Sequence, residues 1–104
     1  MPLIQIGQEI RQLRENRGLP LRKVAAALDI DQSVLSKIER GERRATKEQI
    51  RHIARIFEAD ERELLLSYLS DQVLYQLEDE ELALEALKVA EEKMLYRKNA
   101  GNGQ

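Results

Sequence analysis

Residues 22–43 read Arg-Lys-Val-Ala-Ala-Ala-Leu-Asp-Ile-Asp-Gln-Ser-Val-Leu-Ser-Lys-Ile-Glu-Arg-Gly-Glu-Arg. Val24 and Leu28 recur at helical spacing before Asp29-Ile30, and Val34, Leu35 and Ile38 recur after it. The pattern predicts a helix over Leu21–Leu28, a tight turn at Asp29-Ile30, and a second helix reaching about Arg40. Pro20 suits the start of the first helix, where a backbone N–H would be unpaired in any case. Asp31 is placed to cap the second by accepting from such an N–H, and Gly41 ends it. Ala25 stands where the two helices cross, and its small side chain permits close approach, while Leu28 and Ile30 bracket the turn as core anchors. On the second helix Val34, Leu35 and Ile38 occupy one side, and Gln32, Ser33, Ser36, Lys37 and Arg40 the other.

The flanking sequence is also helical, and no stretch alternates as a strand would. Ile6, Ile10 and Leu13 predict a helix over Leu3–Arg17, stopped by Gly18. Thr46 and Gln49 form a capping box before the stripe Ile50, Ile53, Ala54 and Phe57. Asp60 and Glu63 form a second capping pair, opening a helix that runs from Glu61 to about Leu77. The acidic cluster Glu78–Glu81 marks a break or a new helix start, and a last helix is expected over about Asp79–Lys98. The expected fold is therefore all-α: a five-helix domain over residues 1–66, a helical extension over 67–98, and a frayed tail over 99–104.

Composition narrows the function classes. The chain has no cysteine and a single His52, so disulfides and thiolate metal sites are excluded and a histidine site has little material. No metal or other cofactor is expected. Apolar runs such as Leu64-Leu65-Leu66 are too short to span a bilayer, and the N-terminus lacks the pattern of a secretion signal. A soluble, cytoplasmic protein without membrane association is expected. Net charge is −2 overall, but residues 1–58 carry +4 and residues 59–104 carry −6. A basic front that contains the two-helix stretch suits an anionic partner.

The polar face of residues 32–40 has the chemistry of a helix that enters the major groove of double-stranded DNA. Gln pairs bidentately with adenine, Lys with guanine, and Ser with several bases. Gln32, Ser33, Ser36 and Lys37 are therefore the candidate base readers. Arg40, Arg43 and Arg44 lie further along, where cations hold phosphates and so position a protein without reading sequence. The Thr46 cap and the free N–H groups after it suit one more phosphate.

Over about Ile6–Leu66 the chain resembles the phage-repressor-like (Cro/C1-type, XRE) helix-turn-helix family. The resemblance rests on Ile-Gly-Gln-Glu-Ile-Arg-Gln-Leu-Arg (6–14), Ser-Lys-Ile-Glu-Arg-Gly-Glu-Arg (36–43) and Ala-Asp-Glu-Arg-Glu-Leu-Leu (59–65), in the family's order and spacing. It implies the repressor fold and DNA binding, with base reading on Gln32, Ser33 and Lys37, and Ser36 beside them. It also implies an ion pair between Arg14 and Glu39 that fixes the third helix against the first. Two positions depart from the family pattern. Leu21 stands where many members carry a phosphate-contacting Gln, so that contact is either lost or moved to Arg22 or Lys23. Asp29 stands where many carry Gly, and Asp tolerates the left-handed backbone better than most residues.

In the extension, Ala83, Leu87, Ala90 and Met94 form one stripe flanked by Leu84, Ala86, Val89 and Leu95. That face is wider than a helix lying on a small domain needs. With Tyr68, Leu69, Val73 and Tyr75 it suggests a homodimer interface centred on Tyr68, Leu69, Val73, Leu84, Leu87, Ala90 and Met94; the alternative is that the last helix folds back on its own domain. A homodimeric, sequence-specific regulator of transcription is the favoured function, acting as a repressor or, from the resemblance, as a restriction–modification controller. An antitoxin-type regulator that also binds a toxin protein through the acidic C-terminal region stays open, as does a protein-interaction adapter on the same fold. Catalytic geometry is not in view: His52 has no Ser or Cys partner pattern, so an enzyme is not expected.

Overall fold

The computed structural model describes residues 4–102. Six α-helices occur among them: α1 Ile6–Asn16, α2 Leu21–Ala27, α3 Gln32–Glu39, α4 Lys47–Ile56, α5 Glu61–Leu77 and α6 Ala83–Asn102. No strand occurs among the described residues, in line with the all-α patterning. The chain divides into two compact units, one running to Gln72 and the other starting at Val73.

The first unit is organised around Ile10, Leu35, Ile50, Ile53 and Phe57, with Val24, Ala25, Leu28, Ile38, Ala54 and Leu64 closing over them. Apart from Ala25 and Leu64, these are residues whose 3.6-residue spacing marked one face of a helix. α2 and α3 pack against each other, with Ala25 of α2 and its C-cap Leu28 buried. The turn is made by Asp29 at φ 56, with Ile30 N–H donating to Ala25 O at 3.0 Å and Asp29 N–H to Ala26 O at 3.1 Å. These bonds satisfy the last carbonyls of α2 and require one left-handed residue. Gly41 at φ +78 plays the equivalent part after α3, with its N–H donating to Ile38 O.

α1 and α3 pack at a distance that only Gly7 allows. A Cβ at Gly7 would stand 2.2 Å from the carbonyl oxygen of Ile38 and 3.0 Å from that of Glu39. The first turn of α1 therefore lies directly on the last turn of α3. Its N-terminus is closed from another direction: the Ile6 N–H donates to Asp71 Oδ2 of α5 at 2.7 Å, and Asp71 is buried. A carboxylate at this end of a helix satisfies an unpaired donor and meets the positive end of the dipole. One turn on, Ser67 of α5 donates to Glu9 Oε2. Burial of Glu9, together with the nearby charges of Asp71 and Glu63, holds its carboxyl above the usual carboxylate range, although the Ser67 hydrogen bond works the other way.

The helix ends differ from expectation in several places. α1 begins at Ile6, with Gln5 as its N-cap, rather than at Leu3, which lies outside the described residues. Asp31 holds the N-cap position of α3, but its side chain makes no capping hydrogen bond; its carbonyl accepts from Val34 and Leu35 instead. Thr46 and Gln49 do form the reciprocal capping box, at 3.1 and 2.9 Å, and Asp60 Oδ1 accepts from Glu63 N–H at 3.1 Å. α6 starts at Ala83 rather than Asp79, because Glu78–Leu82 turn; it then runs to Asn102, past the expected end at Lys98. In the second unit Ala83 is half-buried and residues 84–101 are exposed.

Candidate nucleic-acid interface

α3 is anchored along one side by Leu35 and Ile38 and at its end by Glu39, all buried. Glu39 is a carboxylate in the core, and Arg14 neutralises it. Arg14 Nε donates to Glu39 Oε2 at 2.8 Å, and Nη2 donates to Oε1 at 3.0 Å. The third nitrogen, Nη1, donates to Leu19 O at 2.9 Å. This fork geometry orients as well as neutralises. The Arg14 guanidinium is thus shared between the end of α3 and the loop that leads into α2, and it sets both helices of the motif against α1.

Held in this way, α3 turns Gln32, Ser33 and Lys37 to solvent along one side. Ser36 is half-buried at the edge of that side. Arg22 and Lys23 are exposed on the first turn of α2, and Arg43, Arg44 and Thr46 are exposed between α3 and α4. Arg43 lines a shallow hollow with Ala26, Asp29, Ile30, Asp31, Val34 and Gln49, so it stands between the turn of the motif and the start of α4. Arg40 is exposed but not idle: its Nη2 lies 2.9 Å from Glu42 Oε2. An exposed pair of this kind is worth only about 0–1 kcal/mol, so a phosphate can displace it. Leu21, at the position of the family's Gln, is half-buried against the core, which leaves Arg22 and Lys23 as the cations of that turn.

Other residues named from the sequence lie elsewhere. Tyr68 is half-buried against the core of the first unit, whereas Leu69, Val73, Leu84, Leu87, Ala90 and Met94 are exposed. Among the described residues no group of His, Asp and Glu is clustered as a metal site would be, and no helix is long and apolar enough to cross a membrane.

Sequence reasoning missed several supports of this surface. Gly7 was not singled out, although a Gly inside an amphipathic pattern is itself a sign of close backbone approach. Asp71 gave no signal, since its partner is a backbone N–H 65 positions away. Arg17, read as the end of a helix, reaches across to donate to Phe57 O at the end of α4 and lies over the Phe57 ring, 5.9 Å from its centroid.

The model of the helix-turn-helix domain matches residues 5–66, more than half of the chain. The chain belongs to the helix-turn-helix family. Membership places it among DNA-binding proteins rather than enzymes. The fold is similar to that of the clp gene regulator ClgR from Corynebacterium glutamicum, at a TM-score of 0.55 and 21% identity, covering 95% of this chain and 92% of that one. It is also similar to a structure of the SinR protein/SinI protein complex, at a TM-score of 0.52 and 20% identity, covering 91% of this chain and 99% of that one. No curated protein matches the sequence.

Proposed function

We propose that this helix-turn-helix protein is a sequence-specific regulator of transcription that binds double-stranded DNA as a homodimer and represses by occupying promoter DNA. The observation that carries the proposal is α3: its apolar side and Glu39 are anchored, while Gln32, Ser33 and Lys37 face solvent with Arg22, Lys23, Arg40, Arg43, Arg44 and Thr46 exposed around them. Gln32, Ser33, Ser36 and Lys37 read base edges, and the surrounding cations hold phosphates. Two copies set about 34 Å apart would read successive major grooves on one face of the duplex. In this view residues 1–66 form the reading domain and 67–98 the dimerisation segment. The similarity in fold to ClgR, a clp gene regulator, supports the regulatory reading.

A second reading is a regulator whose C-terminal region also binds another protein, as an antitoxin does. The exposed Leu84, Leu87, Met94 and Leu95 favour it, and the SinR structure is a complex of two proteins. Selection of sites from random duplex DNA at two salt concentrations tests the main proposal. A palindromic preferred site is expected; absence of any sequence preference defeats it. Lys37→Ala should relax preference at one position by about 1–3 kcal/mol. Arg43→Ala should instead weaken all sites alike and lower the salt slope by about 1. Identical behaviour of the two variants would refute the division of roles.

A further inference from the structure

α6 leaves its apolar side chains uncovered: Leu84, Leu87, Val89, Met94 and Leu95 are all exposed. Ala83, Leu87, Ala90, Met94 and Arg97 follow one another at spacings of four, three, four and three, the seam of a paired helix. The two ends of that seam carry opposite charge. At its N-terminal end stands the turn Glu78–Glu81, four consecutive carboxylates just before the helix; at its C-terminal end stand Arg97, on the seam itself, and Lys93 and Lys98 beside it. Ala90, in the middle, is small enough to let a second helix approach to about 8 Å between axes, the near end of the usual range.

We infer that α6 pairs with α6 of a second copy of this chain in the antiparallel sense, with Ala90 next to the two-fold axis. The inference rests on the homodimer proposed above and adds its geometry. A parallel pair would set Glu78–Glu81 against the same acidic turn and Arg97 against Arg97. The antiparallel pair sets the acidic turn of each copy beside Arg97 and Lys98 of the other, and opposes the two helix dipoles. It also brings Leu87 of one copy opposite Met94 of the other, since these lie almost equally far on either side of Ala90.

The chain has no cysteine, so single cysteines report the orientation directly. In the full chain, Ala90→Cys should form a disulfide-linked dimer. Leu87→Cys and Met94→Cys should each stay unlinked alone and give a linked dimer when mixed. In the antiparallel pair the two Leu87 positions are offset by about seven residues, or roughly 10 Å along the axis, beyond the Cα separation a disulfide spans. All three substitutions are at exposed positions, and circular dichroism checks that each variant keeps its helix content. Light scattering on the unmodified chain separates the possible failures. A dimer whose Leu87→Cys and Met94→Cys forms each link to themselves is parallel and overturns the inference while leaving the homodimer standing. A dimer with no linkage at any of the three positions overturns it too, because the copies then meet elsewhere. A monomer at high concentration overturns the homodimer itself.

Discussion

Replacing Arg14 with Met should be among the most damaging single changes to the first unit. Met keeps an unbranched stem that can pack in the inner part of the same space but lacks the guanidinium, so the loss is chiefly of charge and hydrogen bonds. Three bonds disappear: the two to Glu39 at 2.8 and 3.0 Å and the one to Leu19 O at 2.9 Å. Only 4% of the Glu39 side chain is exposed, so its carboxylate would be left in the core with Gly7 and α1 packed over the same end of α3. Breaking a buried pair from one side typically removes about 3–5 kcal/mol. A unit of 72 residues has a total stability of roughly 4–11 kcal/mol at the usual value per residue. Arg14→Met should therefore remove roughly a quarter or more of it. Urea unfolding followed by circular dichroism measures the change, with an unaltered slope showing that the midpoint shift reflects stability. The double variant Arg14→Met, Glu39→Leu should recover most of the loss, because an apolar pair of similar volume leaves no charge to neutralise. A single variant that loses less than about 1 kcal/mol would show that the pair behaves like a surface contact. A double variant as unstable as the single would show that shape, not the unpaired carboxylate, is at stake.

Gly7→Ala tests the close approach of α1 to α3. Ala favours a helix by about 1 kcal/mol over Gly, but its Cβ would meet the Ile38 carbonyl, which is backbone and cannot turn aside, so a net lowering of the urea midpoint is expected; a net gain would contradict the packing described. Asp29 and Glu58 both hold positive φ, 56 and 51. Glycine at either site should stabilise, by up to about 1 kcal/mol, with Glu58→Gly gaining more than Asp29→Gly because Asp tolerates this region better; thermal melts of the two variants would expose the opposite order. Glu9 binds its proton more tightly in the folded chain than in the unfolded one. Its contribution to stability is thus fully present below the ordinary carboxylate pKa and is lost as pH rises through the elevated folded value. Glu9→Gln should accordingly raise the urea midpoint at neutral pH and shrink the difference between pH 7 and pH 4; an unchanged pH dependence would remove Glu9 from the account.

Much of this molecule follows from local pattern. Helix positions were legible because Ile6, Ile10, Val24, Leu28, Leu35, Ile38, Ile50 and Ile53 recur with the helical period, and a helix in a small domain must bury one stripe. The Thr46–Gln49 box was legible for a similar reason, as both partners lie within one turn. Asp29 in the turn was legible because few residue types accept a left-handed backbone. The exposed polar residues proposed to meet DNA could be listed from residues 22–46, since what is not in the apolar stripe faces outward.

Longer-range facts had no such local signature. The Asp71 cap of α1, the Ser67 bond to Glu9 and the Arg17 contact with Phe57 join residues 40 to 65 positions apart, and each depends on how α5 or α4 lies beside α1. Asp31 looked like a side-chain cap because its residue type and position fit, yet its rotamer serves no such bond. Arg40 looked like a ready phosphate ligand, and Glu42 two residues on engages it. The pattern of residues 22–43 was sufficient to specify two helices and a turn, because helical spacing and turn chemistry act over a few residues. The direction in which α3 presents Gln32, Ser33 and Lys37 was not contained in that stretch. It is set by Gly7 and by the fork of Arg14 on Glu39, contacts made possible only when distant segments close on one core.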